Sequence, residues 1–420
     1  MFKLVSLEEA QERLKKFKLN LGVEVVHLRE SLGRVLARDV HCNVALPPFN
    51  RSSRDGYAVK AEDTFVASDQ NPARLLLIGS VSMGMKPSIA IGRGECAYIP
   101  TGAPLPRGAN AVVMVEDVKV EDNYVYVYRP VAPLQNVVTV GSDVPKGSLI
   151  AKKGAKIGVR EVALLASSGY KEVEVFEKPL VAVLSTGLEL VDVGLPLDEG
   201  KVYDVNSYVL SSYLTLLGCR PILMGIAPDD PLALSSIIEK ALSLSHFTIV
   251  SGGTSKGEGD VLPQALDLLI KRLGGSIVFH GLSLKPGKPT LLADIGGKLV
   301  FGLPGNPTST LTVFEKLVKP WLLENTRWGR GFEEVEAEAV LAKRVLSFEG
   351  RREVVYVKLQ KNGDALYAHP LLKGSEAVST FVFSDGYLEV GEDENYVEEG
   401  TTVRVRLLKL EGGGYGGGYP

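Results

Sequence analysis

Between His246 and Pro307 the chain collects the residue types that hold anions and hard cations. Ser251-Gly252-Gly253-Thr254-Ser255-Lys256-Gly257-Glu258-Gly259-Asp260 follows an apolar run, Phe247–Val250, and mixes four glycines with hydroxyls, one lysine and two carboxylates. Glycine has no Cβ, so the main chain can approach an oxyanion closely. A buried strand that ends in glycines and leads into a helix is how an open α/β sheet offers backbone N–H groups to a phosphate. Lys285-Pro286-Gly287-Lys288-Pro289 adds two point charges on a backbone stiffened by proline. Gly302-Leu303-Pro304-Gly305-Asn306-Pro307-Thr308-Ser309 opens a predicted helix over 308–323, whose N-terminus suits an anion. Glu258 and Asp260 are hard oxygen ligands of the kind Mg²⁺ takes. A plain loop explains the glycines but not the mixture, and the spacing is not that of a Walker-A loop. The implied ligand is phosphorylated or oxyanionic, with a divalent metal.

Three further stretches carry candidate groups. Ser185-Thr186-Gly187-Leu188-Glu189 follows a strand, which points Ser185, Thr186 and Glu189 at a site beyond the carboxyl ends of the sheet, with a turn or cap as the equally simple alternative. Tyr203-Asp204-Val205-Asn206-Ser207 precedes a helix and reads more readily as its cap. Asp229-Asp230-Pro231 is a cap with proline at the first helical position, although paired carboxylates could also hold Mg²⁺. The five histidines share no ligand spacing and read as structural, and there is no Ser-His-Asp or Cys-His arrangement.

Composition narrows the class. The net charge of −3 gives no global field for nucleic acid, so any anion site must be local. Cys42, Cys96 and Cys219 are widely separated, against a disulfide framework or structural zinc and in keeping with a reducing cytoplasm. Residues 1–16 are amphipathic and carry glutamates rather than a charged start followed by an apolar core, unlike a signal peptide, and no apolar run is long enough to span a membrane. The tail Glu411–Pro420 is low in complexity and expected to be disordered.

The elements that must position these groups follow from periodicity. Ser6 with Glu9 has capping-box spacing for a first helix carrying Ala10, Leu14 and Phe17 on one face, and a second segment covers 27–38. Residues 46–59 read as an irregular linker, and short strands between Gly/Pro turns from about 74 to 128 read as a small β domain. Residues 131–169 return to the first body, which makes the β domain an insertion. From Pro179 near-continuous apolar strands alternate with amphipathic helices, the pattern of a doubly wound, mostly parallel sheet. Alternation resumes after Trp328 as a C-terminal β domain or barrel.

Taken together the motifs resemble the molybdopterin molybdenumtransferase family, of the MoeA and gephyrin E-domain type. The resemblance covers about residues 1–408 and rests on LPPFNRSSRDGYAV, YIPTGAPLPRGANAVVMVED, VAVLSTGLEL with YDVNS, SGGTSKGEGD, LKPGKP and GLPGNPTS, all in the family's order. It implies a multidomain α/β plus β fold: a discontinuous N-terminal body (1–45 and 136–175), an inserted β domain (46–135), an α/β molybdopterin-binding domain (176–325), a C-terminal β-barrel (326–410) and the tail. It also implies insertion of molybdate into adenylylated molybdopterin with Mg²⁺-dependent release of AMP. Glu189, Asp229 and Asp260 would handle metal and phosphate. Lys285 and Lys288, with Ser375 and Arg352, would handle anions. Ser185, Thr186, Gly252, Gly253, Thr254, Ser255, Pro304, Gly305 and Asn306 would bind substrate. Asp55 and Thr101 would come from the partner subunit of a homodimer. A molybdopterin adenylyltransferase and recipient molybdoenzymes or tungstoenzymes are the implied partners. Arg54, Thr254, Lys256 and an arginine-free 136–143 depart from the family pattern and leave molybdate or tungstate open as the oxyanion. An adenylyltransferase acting one step earlier, or a gephyrin-like scaffold, are the competing readings.

Overall fold

The computed structural model describes residues 4–254, 261–326 and 335–408. The chain divides into two compact units, one of Met1–Val23 with Phe176–Pro420 and one of Glu24–Val175.

The first unit begins with helix α1 (Leu7–Leu14), capped by the Ser6 hydroxyl, which accepts from the Glu9 N–H at 3.1 Å. Its apolar face, Leu7, Ala10 and Leu14, enters the same core as Phe314, Leu317 and Trp321. Residues 1–23 therefore group with the α/β domain, whereas the sequence reading placed 1–45 together. An amphipathic face fixes that a helix forms, not which core it covers.

The α/β domain runs β1 (Leu180–Thr186), α2 (Asn206–Leu216), β2 (Arg220–Ala227), α3 (Pro231–Leu244), β3 (Phe247–Ser251), α4 (Val261–Leu273), β4 (Gly275–His280), β5 (Leu284–Lys285), β6 (Leu291–Ile295) and β7 (Lys298–Leu303). The sheet order is β2-β1-β3-β7-β6-β4. Strands β2, β1, β3 and β7 are parallel, and β6 runs against both neighbours. Every residue of β3 is buried, because helices cover both faces. Helix α2 packs into one core and α3 and α4 into the other, so the sheet is doubly wound and mostly parallel as expected. Phe247, Phe301 and Trp321 meet at centroid distances of 5.2–5.7 Å; each such pair contributes about 0.5–1.5 kcal/mol beyond its buried area. The helix expected over 308–323 is observed as α5 (Pro307–Val313), a buried π-helical turn at Phe314–Val318, and α6 (Lys319–Thr326).

The C-terminal strands β8 (Glu336–Leu341), β9 (Arg352–Asn362), β10 (Ala365–Pro370), β11 (Gly386–Val390) and β12 (Thr402–Leu407) close a five-stranded barrel in the order β9-β10-β8-β12-β11, with β11 pairing back to β9. A short helix, α7 (Val378–Val382), precedes β11. Strand β5 joins the barrel from outside, parallel to β9, with Leu284 opposite Arg352 and Lys285 opposite Glu353.

The second unit holds a six-stranded sheet ordered Ala111–Met114, Gly56–Val59, Glu95–Ile99, Ala73–Ser80, Tyr124–Val127, Val118–Glu121. Beside it lie two-residue and three-residue ladders and the helix Val159–Ser167. Residues 27–38 hold a strand end and a 3-10 turn rather than a long helix. Among the described residues no helix is long and apolar enough to cross a membrane.

Candidate active site

The site is built where the order of the sheet reverses. After β1 the chain steps outward to β2, then returns to β3 on the other side of β1. Such a switch point leaves a crevice beyond the carboxyl ends of the strands. Register brings those ends level: Ser185 lies opposite Ser251, Ser251 opposite Leu303, and Thr186 opposite Ala227. A cleft of about 790 Å³ opens there, bounded on its far side by the barrel.

Its sheet-side wall is a set of glycine turns. Gly252 has φ +96°, and a Cβ there would lie 2.1 Å from the Thr186 carbonyl oxygen. Only glycine lets these two backbones pass so closely. Asn206, at the start of α2, donates to the Ser251 hydroxyl at 2.8 Å and to the Gly305 carbonyl at 2.6 Å. It thus ties the loop after β3 to the loop after β7. The sequence favours Asn206 as a cap, but its amide is spent on this bridge; it is Asp204 that accepts from Ser207, from the N–H at 3.2 Å and the hydroxyl at 2.6 Å. The Asp229-Asp230 pair also divides its labour. Asp230 caps α3 through the Ala233 N–H at 2.8 Å, while Asp229 lines the cleft and accepts from the Thr186 hydroxyl at 3.0 Å. Glu189 lines the same wall, its carboxylate lying over Gly187.

The opposite wall carries the cations. Lys285 pairs with the Glu353 carboxylate at 2.9 Å and sits 4.7 Å from the centroid of the Phe348 ring. Lys288 and Arg351 also line the cleft, and neither has an ion-pair partner among the described residues. The loop bearing the lysines is held on both edges. On one side the Val5 N–H donates to the Gly281 carbonyl at 3.1 Å and the Ser283 N–H donates to the Val5 carbonyl at 2.8 Å. On the other the Arg352 N–H donates to the Ser283 carbonyl at 3.2 Å. Ser375, from the barrel segment before α7, accepts from Asn306 through its hydroxyl at 2.8 Å and from the Thr308 N–H through its carbonyl at 3.1 Å. One of the free N–H groups expected at that helix start is therefore already used.

Thr186, Glu189, Asp229, Gly252, Gly253, Thr254, Lys285, Lys288, Pro304, Gly305, Asn306 and Ser375 are brought together around this cleft. Ser185 is not among the lining residues; it is buried within β1, its hydroxyl without a partner among the described residues. Arg352 is not there either. Its guanidinium pairs with Glu8 of α1 at 2.5 Å and Glu389 of β11 at 3.6 Å. Arg351 takes the place in the cleft that the sequence reading gave Arg352. Arg351 stands just before β9 and reaches the cleft, whereas the Arg352 guanidinium is held away from it by Glu8 and Glu389. Ser255 and Asp260 lie outside the described residues, as do Lys256, Glu258 and the tail.

Asp55 and Thr101 meet each other in the second unit, where the Thr101 N–H donates to the Asp55 carboxylate at 2.7 Å. That backbone hydrogen bond, with a second from the Thr101 side chain, lowers the Asp55 pKa below the usual carboxylate value. Hydrogen bonds to the charged form favour it, so Asp55 is an anion at neutral pH. The three cysteines are free and buried, and burial pushes Cys96 and Cys219 up to about 12, so they are inert thiols rather than nucleophiles.

The two arginines make a direct test. Arg351→Ala is expected to reduce turnover about 10–100-fold by removing a charge-assisted contact, with melting temperature unchanged. Arg352→Ala is expected to leave the cleft chemistry intact and cost about 1 kcal/mol of stability from its ion-pair network. Thermal melts and turnover measured side by side check both; the reverse pattern would return Arg352 to the site.

Among the described residues no three His, Cys, Asp or Glu side chains converge as a metal cage. Glu189 and Asp229 are the two carboxylates that face the cleft from the sheet side. Mg²⁺ takes one or two carboxylates and completes its shell with water and substrate phosphates, so this donor set fits it.

Comparison with known proteins agrees with this architecture. Residues 5–169 match the MoeA N-terminal region (domain I and II), 182–324 a probable molybdopterin binding domain, and 338–408 the MoeA C-terminal region (domain IV). A molybdopterin molybdenumtransferase of Bacillus subtilis is 32% identical over 97% of this chain and 95% of its own. A putative molybdopterin biosynthesis protein of Methanocaldococcus jannaschii is 33% identical over 93% of each. The crystal structure of a molybdopterin biosynthesis MoeA protein from Pyrococcus horikoshii superposes with a TM-score of 0.85 at 42% identity, covering 96% of this chain and 99% of that one.

Proposed function

The chain belongs to the MoeA family, and from that premise we propose that it is the molybdenumtransferase of molybdenum cofactor biosynthesis, inserting molybdate or tungstate into adenylylated molybdopterin with release of AMP. The observation that carries this reading is the switch-point cleft, where glycine turns and the carboxylates Glu189 and Asp229 face a wall bearing Lys285, Lys288, Arg351 and Lys373. A pyrophosphate needs backbone N–H groups and cations along its length, and a tetrahedral dianion needs the same donors at one point.

In this reading the turns at Gly252-Gly253 and Pro304-Gly305 bring main chain up to the phosphates, and Asn206 keeps the two turns in register. Lys288 and Arg351 stabilise charge that develops on the departing phosphate oxygens. Thr186 fixes the Asp229 carboxylate toward the cleft. Glu189 and Asp229, with Asp260, would hold Mg²⁺, which supplies Lewis-acid polarisation of phosphate oxygen when bound. The active assembly is a homodimer, with Asp55 and Thr101 serving the partner's cleft, in a reducing cytoplasm that suits three free cysteines.

The test is AMP release by the purified protein from adenylylated molybdopterin and Mg²⁺, with and without molybdate or tungstate. Oxyanion-dependent release with active cofactor formed is the expected result. ATP-dependent adenylylation of free molybdopterin would instead make it the adenylyltransferase. Binding without turnover would make it a scaffold.

A further inference from the structure

A cleft built for anions contains a carboxylate that the reading above does not use. Glu353, on β9, lines it. One oxygen takes the Lys285 ammonium at 2.9 Å; the other, Oε2, is buried with no hydrogen-bond partner among the described residues. The Thr380 hydroxyl, on α7, lines the same cleft, in a residue only 3% exposed, and is also unpartnered. Buried polar atoms left without partners are costly, and two in one cleft are explained if a ligand completes them. The ligand edge must offer donors to the carboxylate. A phosphate or oxyanion offers none and would be repelled by it.

The surroundings define the rest of that ligand. Leu346 and Leu372 line the cleft although 66% and 56% exposed, beside Leu371 and Val355. Apolar side chains open to solvent beside a carboxylate suit a flat heteroaromatic ring whose edge carries N–H groups. The 2-amino-4-oxo pyrimidine edge of a pterin presents two adjacent donors, the exocyclic amine and the ring N3–H. Those match two carboxylate oxygens, each with a lone pair to spare. Its ring carbonyl and nitrogens can accept from the Thr380 hydroxyl. Adenine has a single such donor group on that edge and cannot make the paired contact.

We propose that Glu353 and Thr380 form the subsite that reads the 2-amino-4-oxo edge of the pterin, on the barrel side of the cleft and separate from the glycine turns that take phosphate. The proposal rests on the pterin substrate inferred above and says which residues select it. Lys285 then has two tasks: it neutralises Glu353 and it stands between the ring and the anion.

The test is equilibrium binding of free pterin (2-amino-4-oxopteridine), followed by its fluorescence, against lumazine, which carries oxo in place of the 2-amino group, and AMP. The full-length wild-type protein is expected to prefer pterin to lumazine. Glu353→Gln should weaken pterin about 10–100-fold and erase that preference, as expected for a lost charge-assisted pair. It should not weaken AMP. Thr380→Val, close in shape, should weaken pterin about 3–10-fold with AMP unchanged. No pterin binding by wild type, pterin affinity unchanged in Glu353→Gln, or an equal loss of pterin and AMP would each overturn the proposal, the last because Glu353 would then act only by holding Lys285. Loss of AMP release in the transferase assay with the pterin preference intact would sink the transferase reading and leave the subsite standing.

Discussion

Gly252→Ala is expected to abolish oxyanion-dependent AMP release and to destabilise the α/β domain by about 3 kcal/mol or more. Two costs coincide at that position. The backbone sits at φ +96°, and the new methyl would be placed 2.1 Å from the Thr186 carbonyl oxygen. The clash is with main chain, so no side-chain rotation relieves it. Either β1 and β3 separate or the turn moves, and a displacement of about 1 Å in a positioning turn costs on the order of 100-fold in rate. Gly305→Ala is the control. A Cβ there would meet nothing nearer than the Gly252 Cα at 3.7 Å, an ordinary contact. It should melt within about 0.5 kcal/mol of wild type. Thermal melts with AMP release on both variants check the argument; a Gly252→Ala protein as stable and active as wild type would remove the close approach from the mechanism.

Lys288→Ala is expected to lower turnover about 100–1,000-fold while leaving stability intact. Lys288 has no counter-ion among the described residues and shares its cleft with Lys285 and Arg351. An unpaired cation among cations does little for the fold and is available to a ligand. Lys285→Ala should behave differently. It strands the Glu353 carboxylate, so it should lose stability as well as activity. The pair of variants thus separates the lysine that serves the ligand from the one that also serves the protein. A melting temperature that falls in Lys288→Ala and holds in Lys285→Ala would reverse the assignment.

The sheet was legible because its strands are buried on both faces. Runs such as Leu180–Leu184 and Phe247–Val250 are apolar without interruption, and the glycines that end them mark the site edge of the fold. Legibility fell where a choice depended on partners distant in sequence. Nothing local distinguishes Asn206 as a bridge from Asn206 as a cap; its acceptors, Ser251 at the end of β3 and Gly305 in the loop after β7, lie far along the chain. Arg351 and Arg352 look alike in the chain and are separated by partners distant in sequence, Glu8 and Glu389, which hold Arg352 away from the cleft. Glu353 was invisible as a ligand group because its meaning lies in an empty hydrogen-bonding position. The first helix was read as a helix correctly, but its core could not be read from its own pattern.

The lysine loop is stitched to residue 5 along one edge and to residue 352 along the other. During synthesis, then, everything up to the end of the α/β sheet can leave the ribosome with the lysine loop anchored on one edge only. The second edge arrives only with the barrel. Pairings between such distant segments are slow to form because the intervening chain must first be ordered. A truncated or half-made product would thus carry the glycine turns yet lack a fixed cationic wall.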